Sequence, residues 1–254
     1  MDPVRFVALG DSFTEGVGDE LPDGTVRGWA DLVAAGWASS RGEAIEYANL
    51  AIRGKLVWPI VEEQLERALA LHPTHLSFNG GGNDMLRPRT PISRIADAFT
   101  HVLRRCDEEG VTLVLLSGAN PSGQLPLSRV IQRRGDELSR AVVGRVQGRA
   151  DVVQALNWPD ATLTDPSFWS ADRLHMNARG HHRVAARVLE ALGEGVPDGW
   201  WSLPELPEWV RLGRGAYVRE HLGPWVRRRL TGTSSGDGRA AKHPQWVSIA
   251  PSAG

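Results

Sequence analysis

Short apolar segments alternate with segments of helical periodicity over most of the chain. Five apolar runs are nearly uninterrupted and lie next to Gly, Asn or Pro; they cover residues 4–9, 45–51, 74–78, 111–116 and 152–156. Continuous apolarity is typical of strands that are covered on both faces. The pattern therefore predicts five buried strands.

Five further segments repeat apolar residues at steps of three and four, as amphipathic helices do. They span residues 29–37, 57–69, 92–106, 130–146 and 184–192. Alternating strands and helices are typical of a mostly parallel sheet with helices on both faces. We therefore predict an α/β fold with three α/β/α layers and a five-stranded, mostly parallel sheet. In such sheets the functional groups gather at the carboxyl ends of the strands.

The composition changes at about residue 195. The remaining residues hold half of the ten tryptophans, namely Trp200, Trp201, Trp209, Trp225 and Trp246. Rings of this size need a surface to cover, because soluble proteins seldom expose large apolar patches. We predict a domain of residues 1–194 and a C-terminal extension, residues 195–254, that packs on it, with residues 231–254 partly mobile. Within the extension we expect an extended segment at 203–207, a helix at 209–222 and a helical turn at 225–230.

Composition and charge narrow the class of protein. The chain has 41% hydrophobic and 23% charged residues, as a soluble globular protein has, and 29 Lys and Arg against 30 Asp and Glu. A formal charge of -1 provides no global field for nucleic acid or an anionic membrane. The single cysteine, Cys106, cannot form an intramolecular disulfide or a Cys-rich zinc site.

The lengths of the apolar runs indicate whether the protein spans a membrane or carries a signal peptide. No run approaches the roughly 18 residues of a membrane helix, and the first residues lack the basic segment and long apolar core of a signal peptide. We therefore expect a cytoplasmic protein that neither spans a membrane nor binds nucleic acid. The oligomeric state is left open, with a monomer favoured.

Candidate chemistry begins after the first strand, in the segment Gly10-Asp11-Ser12-Phe13-Thr14-Glu15-Gly16. Gly10 permits a sharp turn, so Ser12 can project its hydroxyl into the crevice at the strand ends. The alternative is that Ser12 only caps the next helix.

Two more strand ends carry glycine and amide groups. Gly54 follows the second strand, and Asn83 follows three consecutive glycines after the third. A glycine N–H and an asparagine amide are candidate donors to an oxyanion. The alternative is that both segments are ordinary turns.

After the last strand comes Asp172-Arg173-Leu174-His175. A step of three residues can place Asp172 and His175 on one side of a single turn. An attacking serine needs a base, and a histidine base needs an anion that fixes its tautomer.

Taken together, the four segments resemble the four blocks of the SGNH, or GDSL, hydrolases, which are serine esterases, lipases and acylhydrolases with a flavodoxin-like α/β/α fold. The matching segments are Gly10–Gly16, Gly54, residues 81–84 and residues 172–175. The resemblance covers about residues 4–192, and the extension resembles more loosely the Trp- and Arg-rich tails of some actinobacterial members. It implies that Ser12 is the nucleophile, His175 the general base and Asp172 its orienting acid. It also implies an oxyanion hole made of the Ser12 N–H, the Gly54 N–H and the Asn83 side chain.

From these residues we expect a hydrolase of small-molecule acyl esters that needs no cofactor and no metal. The rival interpretation is a non-catalytic binding module that keeps these residues by descent. Within the enzymes, a carbohydrate O-deacetylase or a thioesterase is an alternative. Candidate walls of the substrate pocket are Val17, Trp58, Met85, Leu86, Phe168 and Trp169.

Three other motifs favour structural interpretations. Residues 232–236 match G-x-S-x-G, but neither a strand precedes them nor a helix follows, so we predict a surface turn. His181 and His182 point about 100° apart on a helix, which favours a structural or exposed role over a metal site. The arginines at 227–229 are interpreted as a solvated helix face.

Overall fold

The computed structural model describes residues 3–203, 213–224, 227, 231 and 233–252. Its sheet consists of β1 (Arg5–Leu9), β2 (Ile45–Asn49), β3 (His75–Phe78), β4 (Thr112–Ser117), β5 (Val153–Leu156) and β6 (His243–Ile249). The strand order is β5-β4-β3-β1-β2-β6. Strands β1 to β5 are parallel, and β6 is antiparallel to β2. The α/β class is confirmed, whereas the predicted count of five strands is wrong because β6 adds an edge strand.

Strand β6 lacks the pattern that identifies the other five. Its sequence, His-Pro-Gln-Trp-Val-Ser-Ile, contains Pro244, and most of its side chains are partly or fully exposed. A proline is tolerated in an edge strand because its missing N–H leaves no bond of the ladder unmade. Composition predicts partial mobility for residues 231–254, yet residues 243–249 lie in the sheet. The division of the chain at residue 194 stays a prediction.

Helices cover both faces of the sheet. On one face lie α2 (Trp29–Arg41) and α8 (Ala178–Leu192); on the other lie α3 (Val57–Ile60), α4 (Glu66–Leu69), α6 (Ile92–Glu109) and α7 (Ser128–Arg145). A π-helical turn, Val61–Leu65, joins α3 to α4, so the predicted helix at 57–69 is continuous. Two short helices, α1 (Ser12–Glu15) and α5 (Gly82–Met85), follow β1 and β3. The three predicted layers are therefore present.

Each face of the sheet has its own apolar core. Phe6 of β1 and Tyr47 of β2 are almost completely buried against Trp37 of α2, and the rings of Phe6 and Tyr47 stack with centroids 5.8 Å apart. On the opposite face, Phe78 and Phe99 meet edge to face at 4.8 Å. Removal of this apolar surface from water is the main stabilising contribution to such a fold. Because both faces are covered, the functional groups lie at the rim of the sheet.

Asparagine side chains cross-link the carboxyl ends of the strands. The amide of Asn79 donates to the Leu116 carbonyl at 3.1 Å, which joins β3 to β4. In the same way Asn157 donates to the Ser117 carbonyl at 2.9 Å, which joins β5 to β4. Chain order 2-1-3-4-5 makes β1 and β3 the switch point of a flavodoxin-like sheet, where a crevice opens beyond the strand ends.

The described part of the extension contacts the α/β layers. The Trp200 ring meets His182 edge to face at 5.2 Å, and the Arg183 guanidinium lies 5.4 Å from the Trp201 ring. Trp246, in β6, donates to the Leu71 carbonyl at 3.3 Å. A short helix, α9 (Arg214–Tyr217), continues as a π-helical turn, Val218–Leu222, within the predicted helix at 209–222. The predictions for residues 204–212, 225, 226 and 228–230 concern residues outside the described ones.

Lys242 connects the extension to the first loop of the chain. Its ammonium donates to the Glu15 carbonyl at 2.9 Å, to the Val26 carbonyl at 3.0 Å and to the Asp31 carboxylate at 2.6 Å. Three oxygen acceptors satisfy the three N–H groups of a lysine. In the described part of the chain, no helix combines the length and the apolarity needed to cross a membrane.

Candidate active site

Ser12 is the first residue of α1, directly after strand β1. The Asp11 carboxylate caps this helix by accepting a hydrogen bond from the Phe13 N–H at 3.1 Å. Ser12 is therefore not the capping residue, and the alternative interpretation of Ser12 as a helix cap is wrong. Ser12 instead lines a cavity at the strand ends.

The turn before Ser12 is held by a buried glutamine. Gln64, in the π-helical turn, accepts from the Gly10 N–H and donates to the Gly10 carbonyl, both at 3.0 Å. A Cβ at Gly10 would lie 2.3 Å from the Thr14 hydroxyl oxygen, so only glycine fits. These contacts fix the backbone from which Ser12 projects.

His175 and Asp172 form a tight pair on one turn of chain. The distance from His175 Nδ1 to Asp172 Oδ2 is 2.5 Å, and Asp172 Oδ1 accepts from the Leu174 and His175 N–H groups at 2.9 and 3.0 Å. The Ser170 hydroxyl donates to the same oxygen at 2.7 Å. Because the carboxylate accepts at Nδ1, the lone pair of the neutral imidazole lies on Nε2.

Electrostatics of the pair favour a charged carboxylate beside a basic imidazole. Burial acts to lower the pKa of His175, but the hydrogen bond and the negative charge of Asp172 outweigh it and raise that pKa above its ordinary value. Burial likewise acts to raise the pKa of Asp172, but His175 and the two backbone N–H groups hold it well below its usual range. Asp172 therefore stays ionised and stabilises an imidazolium.

Asn83 lies at the start of α5, after β3. Its amide nitrogen donates to Asp11 Oδ2 at 3.1 Å and to the Lys55 carbonyl at 3.0 Å. Since both partners only accept, they use both hydrogens of the amide. The next residue, Asp84, accepts from the Val57 N–H at 2.9 Å. The two side chains thus hold the segment after Gly54 against the end of β3.

Gly54 occupies a turn that the ion pair between Glu15 and Arg53 supports. Its φ is +78°, in the left-handed region that favours glycine. Glu15 accepts from the Arg53 N–H at 2.6 Å and from the Arg53 guanidinium at 2.8 and 2.5 Å, and so joins α1 to this turn. Neither the Gly54 N–H nor the Ser12 N–H has a hydrogen-bond acceptor among the described residues.

Two buried carboxyl groups lie beside these donors. Burial raises the pKa of Asp11 to about 6, although the hydrogen bond from Phe13 and the charge of His175 act in the opposite direction. Burial also raises the pKa of Asp84, against the hydrogen bond from Val57. Asp11 therefore gains a proton within the range where a histidine titrates.

Two cavities open at these residues. The inner cavity has a volume of about 130 Å³, and its lining includes Ser12, Asn83, His175, Val142 and Trp158. The outer cavity has a volume of about 360 Å³ and is lined by Asp172 and His175 together with residues of the extension. Of the predicted pocket walls, Met85 and Leu86 line both cavities and Trp169 lines the inner one. Val17, Trp58 and Phe168 line neither.

The structure brings together most of the predicted site residues. Ser12, Asn83 and His175 share one cavity, and Asp172 bonds to His175. Gly54 does not line the cavity, although Asn83 binds the carbonyl of the residue that follows it. No hydrogen bond joins the Ser12 hydroxyl to His175 in this arrangement; such bonds commonly tighten only when substrate binds.

Sequence reasoning missed the residues that support the site. Gln64 carried a signal, because it is a polar residue on the apolar face of a helix and is buried there. The pairing of Glu15 with Arg53 had no local signal, since 38 residues separate them. Lys242 had none either, because its partners lie in another part of the chain.

The remaining motifs have structural roles. His181 is fully buried, accepts from the Trp29 N–H at 3.1 Å through Nδ1, and lies 3.3 Å from the Val17 carbonyl through Nε2. Residues 234–237 form a turn in which the Ser234 N–H donates to Asp237 at 2.7 Å. Arg227 is exposed, whereas residues 228 and 229 lie outside the described residues. Within the part of the chain that is described, no three His, Cys, Asp or Glu side chains cluster as a metal site requires.

Comparison with solved structures identifies similar folds. The psychrotrophic esterase EstA from Pseudoalteromonas sp. is 15% identical and matches with a TM-score of 0.58 over 74% of this chain and 96% of its own. A catalytic mutant of Axe2, an acetylxylan esterase from Geobacillus stearothermophilus, is 17% identical, with a TM-score of 0.63 over 79% and 97% of the two chains. TesA is 18% identical, with a TM-score of 0.60 over 74% and 97%. At these identities the likeness shows the fold.

The family follows from the sequence itself. A comparison with curated proteins finds no match. The model of the GDSL-like Lipase/Acylhydrolase family matches residues 8–183, which include every predicted site residue and more than half of the chain. The chain therefore belongs to the GDSL-like lipase/acylhydrolase family and is a carboxylic ester hydrolase.

Proposed function

We propose that the protein hydrolyses small-molecule acyl esters with Ser12 as nucleophile, His175 as general base and Asp172 as the anion that orients His175. The observation that carries this proposal is the fixed His175–Asp172 pair in the wall of the cavity that Ser12 also lines. A binding module would have no need of an ionised carboxylate that raises the pKa of a half-buried histidine in the same cavity as a serine.

In the first half of the reaction, Ser12 Oγ attacks the carbonyl carbon while His175 Nε2 takes the hydroxyl proton. The C=O electron pair moves to oxygen and forms a tetrahedral oxyanion. As this intermediate collapses, the bond from carbon to the alkoxy oxygen breaks, and His175 gives its proton to that oxygen. An acyl-serine and a free alcohol result.

The oxyanion is assigned to the Ser12 N–H, the Gly54 N–H and the Asn83 amide. The two backbone donors are unengaged, which supports this assignment. Asn83 is engaged with Asp11 and Lys55, so it has to exchange one of these acceptors for the oxyanion. The two backbone donors are free before the reaction and can stabilise the developing charge at little reorganisation cost, whereas Asn83 first has to break one bond.

In the second half, His175 takes a proton from water, and the hydroxide attacks the acyl-serine. The ester bond to Ser12 breaks, His175 returns the proton to Ser12 Oγ, and the carboxylic acid leaves. Every proton moves between His175 and one of three partners: Ser12, the leaving alcohol or water. The proposed chemistry therefore uses no metal or cofactor.

The test is labelling of the nucleophile. Ser12→Ala should abolish both hydrolysis of p-nitrophenyl butyrate and labelling by a fluorophosphonate, with little change in the melting temperature. Ser234→Ala is the matched control, because Ser234 lies in the other serine motif; it should still be labelled.

Near wild-type turnover in Ser12→Ala would show that the nucleophile is another residue. Absence of any ester hydrolysis by the wild type would favour the binding module. A panel of acetylated sugars and acyl thioesters then separates the O-deacetylase and thioesterase alternatives.

A further inference from the structure

The inner and outer cavities meet at His175 and divide the site into two compartments. Four residues line both of them: Met85, Leu86, Leu174 and His175. Ser12 and Asn83 line only the inner cavity, whereas Asp172 lines only the outer one. The attacking oxygen and the general base therefore have different surroundings.

We infer that the outer cavity binds the leaving alcohol of the ester, that this alcohol is bulky and uncharged, and that Tyr217 and Leu222 of the extension determine its specificity. The inference rests on the proposed function, because it assigns the two halves of an ester to the two sides of His175. The acyl group then occupies the inner cavity.

The direction of the proton transfers carries the assignment. The acyl carbon bonds to Ser12 Oγ, so the acyl chain has to begin in the cavity that Ser12 lines. The alkoxy oxygen receives its proton from His175 Nε2, so it has to lie on the side that His175 can reach. His175 lines both cavities, but Ser12 lines only the inner one. The outer cavity is therefore the one that His175 lines without Ser12.

The two cavities differ in volume. An apolar cavity of about 150 Å³ holds a molecule of the size of benzene. The inner cavity, at about 130 Å³, has room for an acyl chain of roughly six carbons by that measure. The outer cavity, at about 360 Å³, accepts an aromatic or branched alcohol that the inner one excludes.

Most residues that line the outer cavity are apolar. Two of them, Leu127 and Val130, are 76% and 43% exposed and so present apolar surface to a ligand. The lining residue Arg134 is engaged, since its guanidinium donates to the Met85 carbonyl at 2.6 Å and to the Thr90 carbonyl at 2.7 Å.

The acidic residues of this cavity are engaged as well. Glu220 pairs with Arg219 at 2.8 Å, and Asp172 pairs with His175. Both carboxylates are thus paired, the Arg134 guanidinium is held by carbonyl groups, and most of the remaining wall is apolar, which favours an uncharged alcohol.

The extension is a fixed wall of this cavity. Tyr217 is 5% exposed, and the Arg173 guanidinium lies 4.2 Å from the centre of its ring. Arg173 is part of the turn that carries Asp172 and His175, so this cation–π contact joins the extension to the His175 turn. Leu222 lies five residues after Tyr217 and lines the same cavity.

The experiment compares two ratios of kcat/KM. The alcohol ratio is 1-naphthyl butyrate over methyl butyrate, and the acyl ratio is methyl hexanoate over methyl acetate. Leu222→Ala removes wall contacts and Leu222→Trp fills the cavity; each should lower the alcohol ratio by about tenfold and change the acyl ratio less than twofold. Val142→Phe, which fills the inner cavity, should do the reverse. Val218→Ala, an exposed neighbour that lines neither cavity, is the matched control for both ratios.

Each outcome supports or overturns the assignment of the outer cavity to the leaving alcohol. An alcohol ratio that stays unchanged in both Leu222 variants, or an acyl ratio that falls in its place, would overturn the assignment of the outer cavity while hydrolysis itself persists. Failure of the wild-type protein to hydrolyse any of the four esters would instead overturn the proposed function, and the assignment with it. A fall of the alcohol ratio alone supports the inference.

Discussion

Gly54 and Ser234 are in direct contact, although 180 residues separate them in the sequence. A Cβ built on Gly54 would lie 2.1 Å from the Ser234 hydroxyl oxygen, and φ of Gly54 is +78°. The extension thus packs on the turn whose N–H we assign to the oxyanion hole. A side chain at residue 54 has to displace the Ser234 hydroxyl, the turn, or both.

Gly54→Ala should therefore lower both stability and kcat. The left-handed φ alone costs about 1 kcal/mol of the free energy of unfolding, and the clash with Ser234 moves the Gly54 N–H away from the oxyanion. We expect a fall in kcat of at least about tenfold, since loss of a whole oxyanion donor costs on the order of 100-fold to 1000-fold. Stopped-flow or steady-state hydrolysis of p-nitrophenyl butyrate measures it.

Gly24→Ala is the matched control for this variant. Gly24 has a similar φ of +82°, but a Cβ there meets nothing within 4 Å. It should lose the same backbone contribution to stability and keep its kcat. If Gly54→Ala kept full kcat, the turn would have no part in the reaction.

Asn83→Ala should reduce kcat by about 100-fold to 1000-fold, the usual effect of removing one oxyanion donor. KM should change little, because the contact strengthens only as charge develops on the carbonyl oxygen. Asn157→Ala is a suitable control, since Asn157 also follows a strand and donates to a backbone carbonyl but lines neither cavity. It should lose stability and not turnover. Equal losses of kcat in the two variants would mean that Asn83 acts only through the fold.

The sequence predicts the parallel sheet and the reactive groups because both have local signals. Continuous apolar runs identify β1 to β5, and short motifs place Ser12 and His175 after strands. Strand β6 has no such signal, since it is partly exposed and contains Pro244. The support of the site is non-local as well: Gln64 holds Gly10 across 54 residues of chain. Tertiary packing decides which residues meet across such separations. The pattern of neighbouring residues in the sequence does not contain this information.

The rate of acylation should rise with pH through an ionisation above pH 6.5. Asp172 raises the pKa of His175 above its ordinary value, and His175 accepts the Ser12 proton only when it is neutral. Activity is therefore low below that pKa and reaches a plateau above it. The measurement is kcat/KM for p-nitrophenyl butyrate from pH 5 to 9, with a second ester of different leaving group to check that chemistry limits the rate.

Asp172→Asn provides the comparison for the pH profile. Without the carboxylate, burial and the charge of Arg53 lower the pKa of His175 and only the charge of Asp11 raises it, so the midpoint should move to lower pH. The plateau should fall by roughly 10,000-fold, as in other serine triads that lose their acid. A profile that is flat from pH 5 to 8 in the wild-type protein, or a midpoint that Asp172→Asn does not move, would count against His175 as the base.

The free energy of unfolding should fall between pH 6.5 and pH 4 because of His181. Burial lowers the pKa of His181 to about 4, while the unfolded chain has the ordinary value near 6.5. In this window the unfolded state binds the proton and the folded state does not, so acidification favours unfolding, by on the order of 3 kcal/mol in total. The tautomer gives the structural reason: Nδ1 already accepts from the Trp29 N–H, and a second proton would break that bond. His181→Gln should lose stability at pH 7 and show a flatter dependence on pH. Urea unfolding at pH 7, 6, 5 and 4 measures these slopes, and equal slopes for His181→Gln and wild type would show that His181 does not set the acid sensitivity of the fold.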